Sequence, residues 1–307
     1  MTGDYHGLPT RIFSNRHLRL EFLAEAGPRI VRLMLAGSDE NLLAETPDLS
    51  WPTPYGEFRL YGGHRLWHAP EAPPRTSFPD NHGLVIEELG QAVRLCGPTE
   101  SHTGIRKRIE ISLLDGQPGV TLVHTLHNDG MWPVELAPWA ITQLPLGGIA
   151  ILPQRSRTPD TAGLAPDRHV VLWPYASWQD PRLQLGDDYV LVRAEPRVPP
   201  LKLGYLNERG WAAYLRAGIL FVKRFEPQVE RAHADRNCNV EVYCKDRFIE
   251  LETLGPLVRL EPGQSVTHVE TWELYSGLGA PQTTQDTVNI IHPMEDTLSR
   301  RTHGREN

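Results

Sequence analysis

Apolar and polar residues alternate along most of this chain, with the two-residue period of half-buried strands. In HLRLEFLA, Leu18, Leu20 and Phe22 alternate with Arg19 and Glu21. The run RIVRLMLAG follows the turn signal EAGP and completes a hairpin. RIEISLLDGQPGVTLVHTLHN predicts another hairpin, its two alternating runs flanking Asp115-Gly116. PVELAPWAITQLPLGGIAILP predicts two more strands, and GWAAYLRAGILFVKRFE a hairpin around Ala217-Gly218. From Asn239 to Tyr275, four strands are punctuated by Lys245-Asp246, Gly255-Pro256 and Pro262-Gly263. No repeat of fixed length appears, and strands do not alternate with long helices. Packed antiparallel sheets are therefore expected, rather than a doubly wound sheet or a βα barrel. Two stretches, 61–82 and 153–207, are less regular and rich in Pro, Trp and His. Loops on a rigid β scaffold are where functional groups usually sit.

The expected organisation is one all-β domain over residues 1–275 and a polar C-terminal tail over 276–307. All-β folds often run to about 250 residues as one domain, and a chain of this length buries a core without disulfide staples. The tail contains DTVNIIHPMEDTLSRR, a short amphipathic segment that packs on the same domain or on a second subunit, which leaves a homodimer open. A net charge of −7 argues against a nucleic-acid partner, which calls for a basic face. Cys96, Cys238 and Cys244 are odd in number and form no C-x-x-C motif, as expected of reduced thiols in the cytoplasm. No run approaches about 20 apolar residues, so no membrane partner is expected.

Phosphate-loop, dinucleotide and serine-hydrolase motifs are absent, and no cofactor is expected. His64 and His68 have the spacing of helical metal ligands, but Gly62-Gly63 and Pro70 disfavour a helix there. His124 and His127 fall on opposite faces of a strand, so no metal site is expected from spacing. The stretch YGGHRLWHAPE crowds His64, Arg65, Trp67 and His68 behind two glycines, which allow a sharp turn or a close approach to a ligand. Imidazole and guanidinium bond sugar hydroxyls or a carboxylate, and indole stacks on an apolar sugar face. His82 in FPDNHGL precedes a predicted strand and is a weaker candidate. Trp139, Trp173, Tyr175 and Trp178 lie near proline-rich breaks, which keeps a stacking role open beside a core role. Lys202 and Lys223 interrupt apolar runs, either as snorkelling edge residues or as cations facing a polar cleft. In RFIELETLGPL, Glu250 and Glu252 share one strand face, and Glu241 comes from the strand before it. Three neighbouring carboxylates repel, so at least one pKa rises unless cations such as Arg65 or Lys223 compensate.

Together these residues resemble the galactose mutarotase-like (aldose 1-epimerase) superfamily, and more closely an uncharacterised bacterial branch of it, a domain of unknown function. The resemblance spans roughly residues 11–275 and rests on LEFLAEAGPRIVRLMLAGSDENLL, on RLYGGHRLWHAPE followed by FPDNHGL, and most specifically on FIELETLGPLVRLEPGQSVTHVETWELY. It implies an antiparallel β-supersandwich with a concave carbohydrate site, taking a small sugar or an oligosaccharide. It also implies that Glu252 is the catalytic base of a mutarotase. The family's catalytic histidine falls on or near Trp139 here, and indole cannot exchange protons as imidazole does. The resemblance therefore leaves His64 or His82 as the expected acid, with Arg65, Trp67, Trp139, Tyr175, Lys202, Lys223, Glu241 and Glu250 as expected substrate contacts. Two alternatives remain: a glycoside hydrolase or polysaccharide lyase on the same fold, and a non-catalytic sugar-binding module.

Overall fold

The alternating runs become the strands of two large antiparallel sheets. The computed structural model describes residues 1–154, 162–279, 281 and 283–298. One sheet has eleven strands. From one edge it runs Thr2–Tyr5, Leu8–Ser14, Leu18–Leu23, Arg29–Leu35, His64–Ala69, Val134–Pro145, Phe248–Leu254, Val240–Cys244, Leu201–Tyr205 and Val171–Leu172. Val258–Leu260 pairs separately with Val134–Pro145. The second sheet has ten strands, and its centre is Trp211–Arg216, Ile219–Phe225, Ser265–Tyr275, Gly119–Asn128 and Ile105–Leu113. A two-stranded hairpin, Glu45–Thr53 with Gly56–Gly62, stands apart from both.

The hairpins expected at Asp115-Gly116 and Ala217-Gly218 both form. Ala217 and Gly218 adopt φ of 50° and 76°, the left-handed pair that a two-residue hairpin turn requires. The stretch 61–82 is more regular than its composition suggests. His64–Ala69 is a wholly buried strand near the middle of the larger sheet. Its two leading glycines make a close approach to the protein's own backbone. A Cβ on Gly63 would lie 1.9 Å from the Ile30 carbonyl oxygen, and one on Gly62 would lie 2.2 Å from that of Ala44.

Parity sorts the side chains into three layers. Leu66, Leu144, Leu203 and Ile249 of the larger sheet meet Ile109, Leu122, Phe221 and Trp272 of the smaller one in the inter-sheet core. Helix Thr284–Ile291 and the short turn after it cover the outer face of the smaller sheet, where Ile291 and Leu298 pack on Trp211, Leu215 and Leu220. Thr283 and Asp286 form a capping box at the helix start. The amphipathic tail segment thus packs on its own chain as far as residue 298, and the rest of it lies outside the described residues. On the outer face of the larger sheet, Phe58 and Leu60 of the separate hairpin pack on Trp67, Trp139 and Ile141. The three cysteines are unpaired, and among the described residues no helix is long and apolar enough to cross a membrane.

Candidate functional site

The strand Phe248–Leu254 carries the first elements of the site. Ile249 and Leu251 enter the inter-sheet core, so Phe248, Glu250, Glu252 and Leu254 project from the opposite face. Pairing sets their neighbours. Glu252 lies opposite Glu241 on one side and Ile141 on the other, and Ile141 lies opposite Arg65. Trp139 lies opposite Trp67. Gly204 faces Glu241 across the next strand pair, and a Cβ there would sit 2.7 Å from Glu241 Cγ. Lys202, two residues before Gly204, projects to the same face.

The side chains form a compact buried cluster. Lys202 Nζ lies 2.8 Å from Glu241 Oε2 and 3.3 Å from Glu252 Oε2. Trp139 Nε1 donates to Glu252 Oε2 at 2.7 Å, whereas Glu252 Oε1 is buried without a partner. The Lys202 ammonium stands 4.6 Å from the ring centres of both Trp139 and Trp173. Arg65 Nη2 donates to Glu250 Oε1 at 2.9 Å, and its guanidinium stacks 4.4 Å above the Trp67 ring, leaving Nε and Nη1 unpartnered. Arg65 and Lys202 supply two positive charges against the three carboxylates, so full ionisation leaves one negative charge uncompensated. Burial pushes Glu241 well above the usual carboxylate range, more than Lys202 offsets, with Glu252 and Asp235 adding to the rise. Burial also raises Glu250, against the pull of Arg65. Burial alone would lower Lys202, but the facing carboxylates hold it well above the usual lysine value.

Above this cluster opens a cleft of about 640 Å³. Arg65, Trp67, Trp139, Lys202 and Glu250 line its base, and Trp51 and Tyr175 stand partly exposed at its rim. Burial raises the Tyr175 hydroxyl to about 12. The hairpin bearing Trp51 is tied down by Arg247, which bonds both carboxylate oxygens of Asp48 at 2.7 and 2.9 Å. Glu241 and Glu252 lie beneath the base and are fully buried. Apolar and aromatic walls around a few convergent polar groups are the usual make-up of a small-molecule site.

Three expected site residues lie elsewhere. His82 is exposed and does not line the cleft. His64 projects from the opposite face to Arg65 and Trp67, into the space between the sheets. Lys223 is also between the sheets, where Nζ lies 2.8 Å from Glu270 Oε1 and donates to the carbonyls of Ala140 and Leu251. The compensating cations in the cleft are therefore Lys202 and Arg65, not Lys223. Lys223 shares its strand face with Phe221 and Phe225, both core residues, and a cation between two core aromatics is buried with them.

His64 and Lys223 belong to a buried network that the pattern reading missed. His124 Nδ1 donates to the His268 carbonyl at 3.0 Å, so its Nε2 accepts from His64 Nε2 at 2.7 Å. Thr142 Oγ1 then donates to His64 Nδ1 at 2.9 Å. His268 Nε2 donates to Thr253 Oγ1 at 2.8 Å, and that hydroxyl donates to Glu270 Oε1. Trp272 Nε1 donates to Glu270 Oε2 at 2.9 Å. Burial lowers His64, His124 and His268, the last to about 3. Burial would raise Glu270, but the Lys223 ammonium beside it holds it well below the usual range. One donor atom each of His64, His124 and Glu270 fall within 4.8 Å of one another. These residue types suit acid–base or metal chemistry, yet each is already partnered and none reaches solvent. Alternation was the available signal: His124 sits between Leu122 and Leu126, and Glu270 between His268 and Trp272, on core-facing positions.

No family model matches the chain, and no curated protein matches it. Solved structures do. A galactose mutarotase-like protein from Lactobacillus casei aligns with a TM-score of 0.57 at 11% identity, covering 87% of this chain and 100% of that one. A galactose mutarotase related enzyme from Lactobacillus acidophilus aligns with a TM-score of 0.52 at 8% identity, covering 89% and 100%. A TPR-domain containing protein from Parabacteroides distasonis aligns with a TM-score of 0.55 at 13% identity, covering 90% of this chain and 50% of that one. This chain has the galactose mutarotase-like β-sandwich fold, and at these identities the likeness is one of fold.

Proposed function

We propose that the cleft binds an aldose and that the protein interconverts its anomers. The observation that carries this reading is the Glu250–Glu252 pair at an aromatic-walled cleft, with Arg65 paired to Glu250 and Lys202 to Glu252. Glu252 takes the proton of the anomeric hydroxyl on its unpartnered Oε1, while Trp139 holds Oε2. Lys202 swings aside to admit the hydroxyl, because Glu252 is shut off in the resting state. Glu250, a cleft-wall carboxyl raised by burial, protonates the ring oxygen as the bond from that oxygen to the anomeric carbon breaks. The open-chain aldehyde rotates, the ring closes on its other face, and both protons return. Trp67, Trp51 and Tyr175 supply stacking surfaces, and Arg65 orients a hydroxyl.

Saturation-transfer NMR on a panel of aldoses tests this reading. Wild type should accelerate anomer exchange, and Glu252→Gln and Glu250→Gln should each abolish the acceleration. No acceleration by wild type, or an unchanged rate in Glu252→Gln, would sink it. The closed-off position of Glu252 favours one other reading, a sugar-binding module without turnover. Calorimetric binding with no anomer exchange would support that. Hydrolysis fits less well, because it needs carboxylates on either side of the scissile bond, and Glu250 and Glu252 rise from one strand on one wall.

A further inference from the structure

A second cavity, about 290 Å³, opens at one end of the space between the sheets and shares no lining residue with the cleft. His68, the last inward-facing residue of the strand His64–Ala69, lines it and is fully buried. Neither of its ring nitrogens has a hydrogen-bond partner. The nearest acidic group, Glu100, holds its Oε2 at 3.6 Å from Nε2, too far for a hydrogen bond. Glu100 is engaged elsewhere: Lys107 Nζ lies 2.5 Å from it and Thr103 donates to it, and it titrates down at about 2 despite burial. Burial also holds His68 below the usual histidine range, so the ring is neutral and presents one N–H donor. Arg75 is the sole charged residue among those lining the cavity, and its Nε is buried without a partner. Tyr55, Ile105, Val134 and Leu136 make up the apolar part of the wall, and the exposed His102 and half-buried Thr103 complete it. Two buried donors left unsatisfied, one of them cationic, facing an apolar wall, are complementary to an anionic head on a short apolar body.

We propose that this cavity is a binding site for a small aliphatic carboxylic acid, its carboxylate bonded by His68 and Arg75 and its carbon chain against Ile105 and Leu136. The cavity's size sets the limit at a few carbons, since it lies at the low end for small-molecule pockets.

The test is a titration of the full chain with propionate, followed by the ring resonances of His68 in heteronuclear NMR. Saturable shifts at His68 are expected, with none from propionamide, which has the same shape and no charge. Arg75→Gln, at a partly exposed position, should weaken propionate binding by at least about tenfold, the scale of a lost charge-assisted hydrogen bond. His68→Gln assigns the resonance if it folds; if it does not, the wild-type and Arg75→Gln titrations still decide the matter. Absence of saturable shifts would overturn the site. So would equal binding of propionamide, equal or tighter binding of inorganic phosphate, or an unchanged affinity in Arg75→Gln.

Discussion

Replacing Lys223 with methionine keeps most of the side-chain volume and removes the ammonium from between the sheets. Glu270 would keep its donors from Thr253 and Trp272 but lose its counter-ion, and the carbonyls of Ala140 and Leu251 would lose a donor. Removing one partner of a buried ion pair costs about 3–5 kcal/mol, because the survivor is left as an uncompensated buried charge. For a chain of 307 residues, an unfolding entropy of roughly 2.1 cal/mol/K per residue turns this into a fall in Tm of about 5–8 °C. Urea unfolding and calorimetry of Lys223→Met, Glu270→Gln and the double variant would measure it. The double variant should be more stable than the sum of the two losses predicts, because it no longer buries an unpaired charge. Lowering the pH should shrink the deficit of Lys223→Met, since protonation neutralises a Glu270 that no cation now holds low. If Lys223→Met melts within about 1 °C of wild type, or if the two losses simply add, Lys223 and Glu270 are not the coupled buried pair described.

The three histidines of the network between the sheets, His64, His124 and His268, predict acid sensitivity. Their folded pKa values lie below the unfolded value, so the stability they allow is complete above pH about 6.5 and declines as pH falls, at about 1.4 kcal/mol per unit for each ring. The urea midpoint should therefore drop between pH 7 and pH 5, before most carboxylates titrate, and a flat profile there would contradict the neutral network. Gly63→Ala places a Cβ 1.9 Å from the Ile30 carbonyl oxygen at a φ of 67°, whereas Gly147→Ala has nothing within 4 Å and a φ of 95°. The first should cost more than the second, for which about 1–2 kcal/mol of backbone strain is expected, and equal urea midpoints would refute the close approach. Trp139→Phe keeps the aromatic face toward Lys202 but removes the donor to Glu252, with an expected loss of about 1.5–3 kcal/mol by urea unfolding. Unchanged stability in that variant would mean that the indole N–H is not holding the carboxylate.

Strand existence and pairing were legible because alternation is a local signal and the turn residues are explicit. Asp115-Gly116 and Ala217-Gly218 marked their hairpins, and the spacing of Glu250 and Glu252 put both on one face. The stretch 61–82 was harder, because wholly buried strands such as His64–Ala69 need not alternate in polarity, and its His, Arg and Trp content resembled a loop. Which face of each strand meets which layer was not legible at all. Parity assigns residues to a common face but does not say whether that face looks into the inter-sheet core or out toward the cleft. That choice depends on where the separate hairpin Glu45–Gly62 and the C-terminal helix come to rest.

The missing choice of face accounts for both the successes and the displacements among the candidate residues. Arg65, Trp67, Trp139, Lys202, Glu241, Glu250 and Glu252 all have outward parity on strands that are neighbours in one sheet, so a single decision about the face brings them together. His64 has the other parity on the same strand as Arg65, and one residue of offset sends it through the sheet to His124. Lys223 belongs to the opposing sheet and meets His64's side for the same reason. No change of rotamer moves a side chain across a continuous hydrogen-bonded ladder, so neither residue can exchange a proton with a ligand in the cleft. On the proposed reading, proton transfer in the cleft falls to the carboxylates, Lys202 and the cleft tyrosines, and of the carboxylates Glu250 alone lines the cleft with a pKa that burial raises.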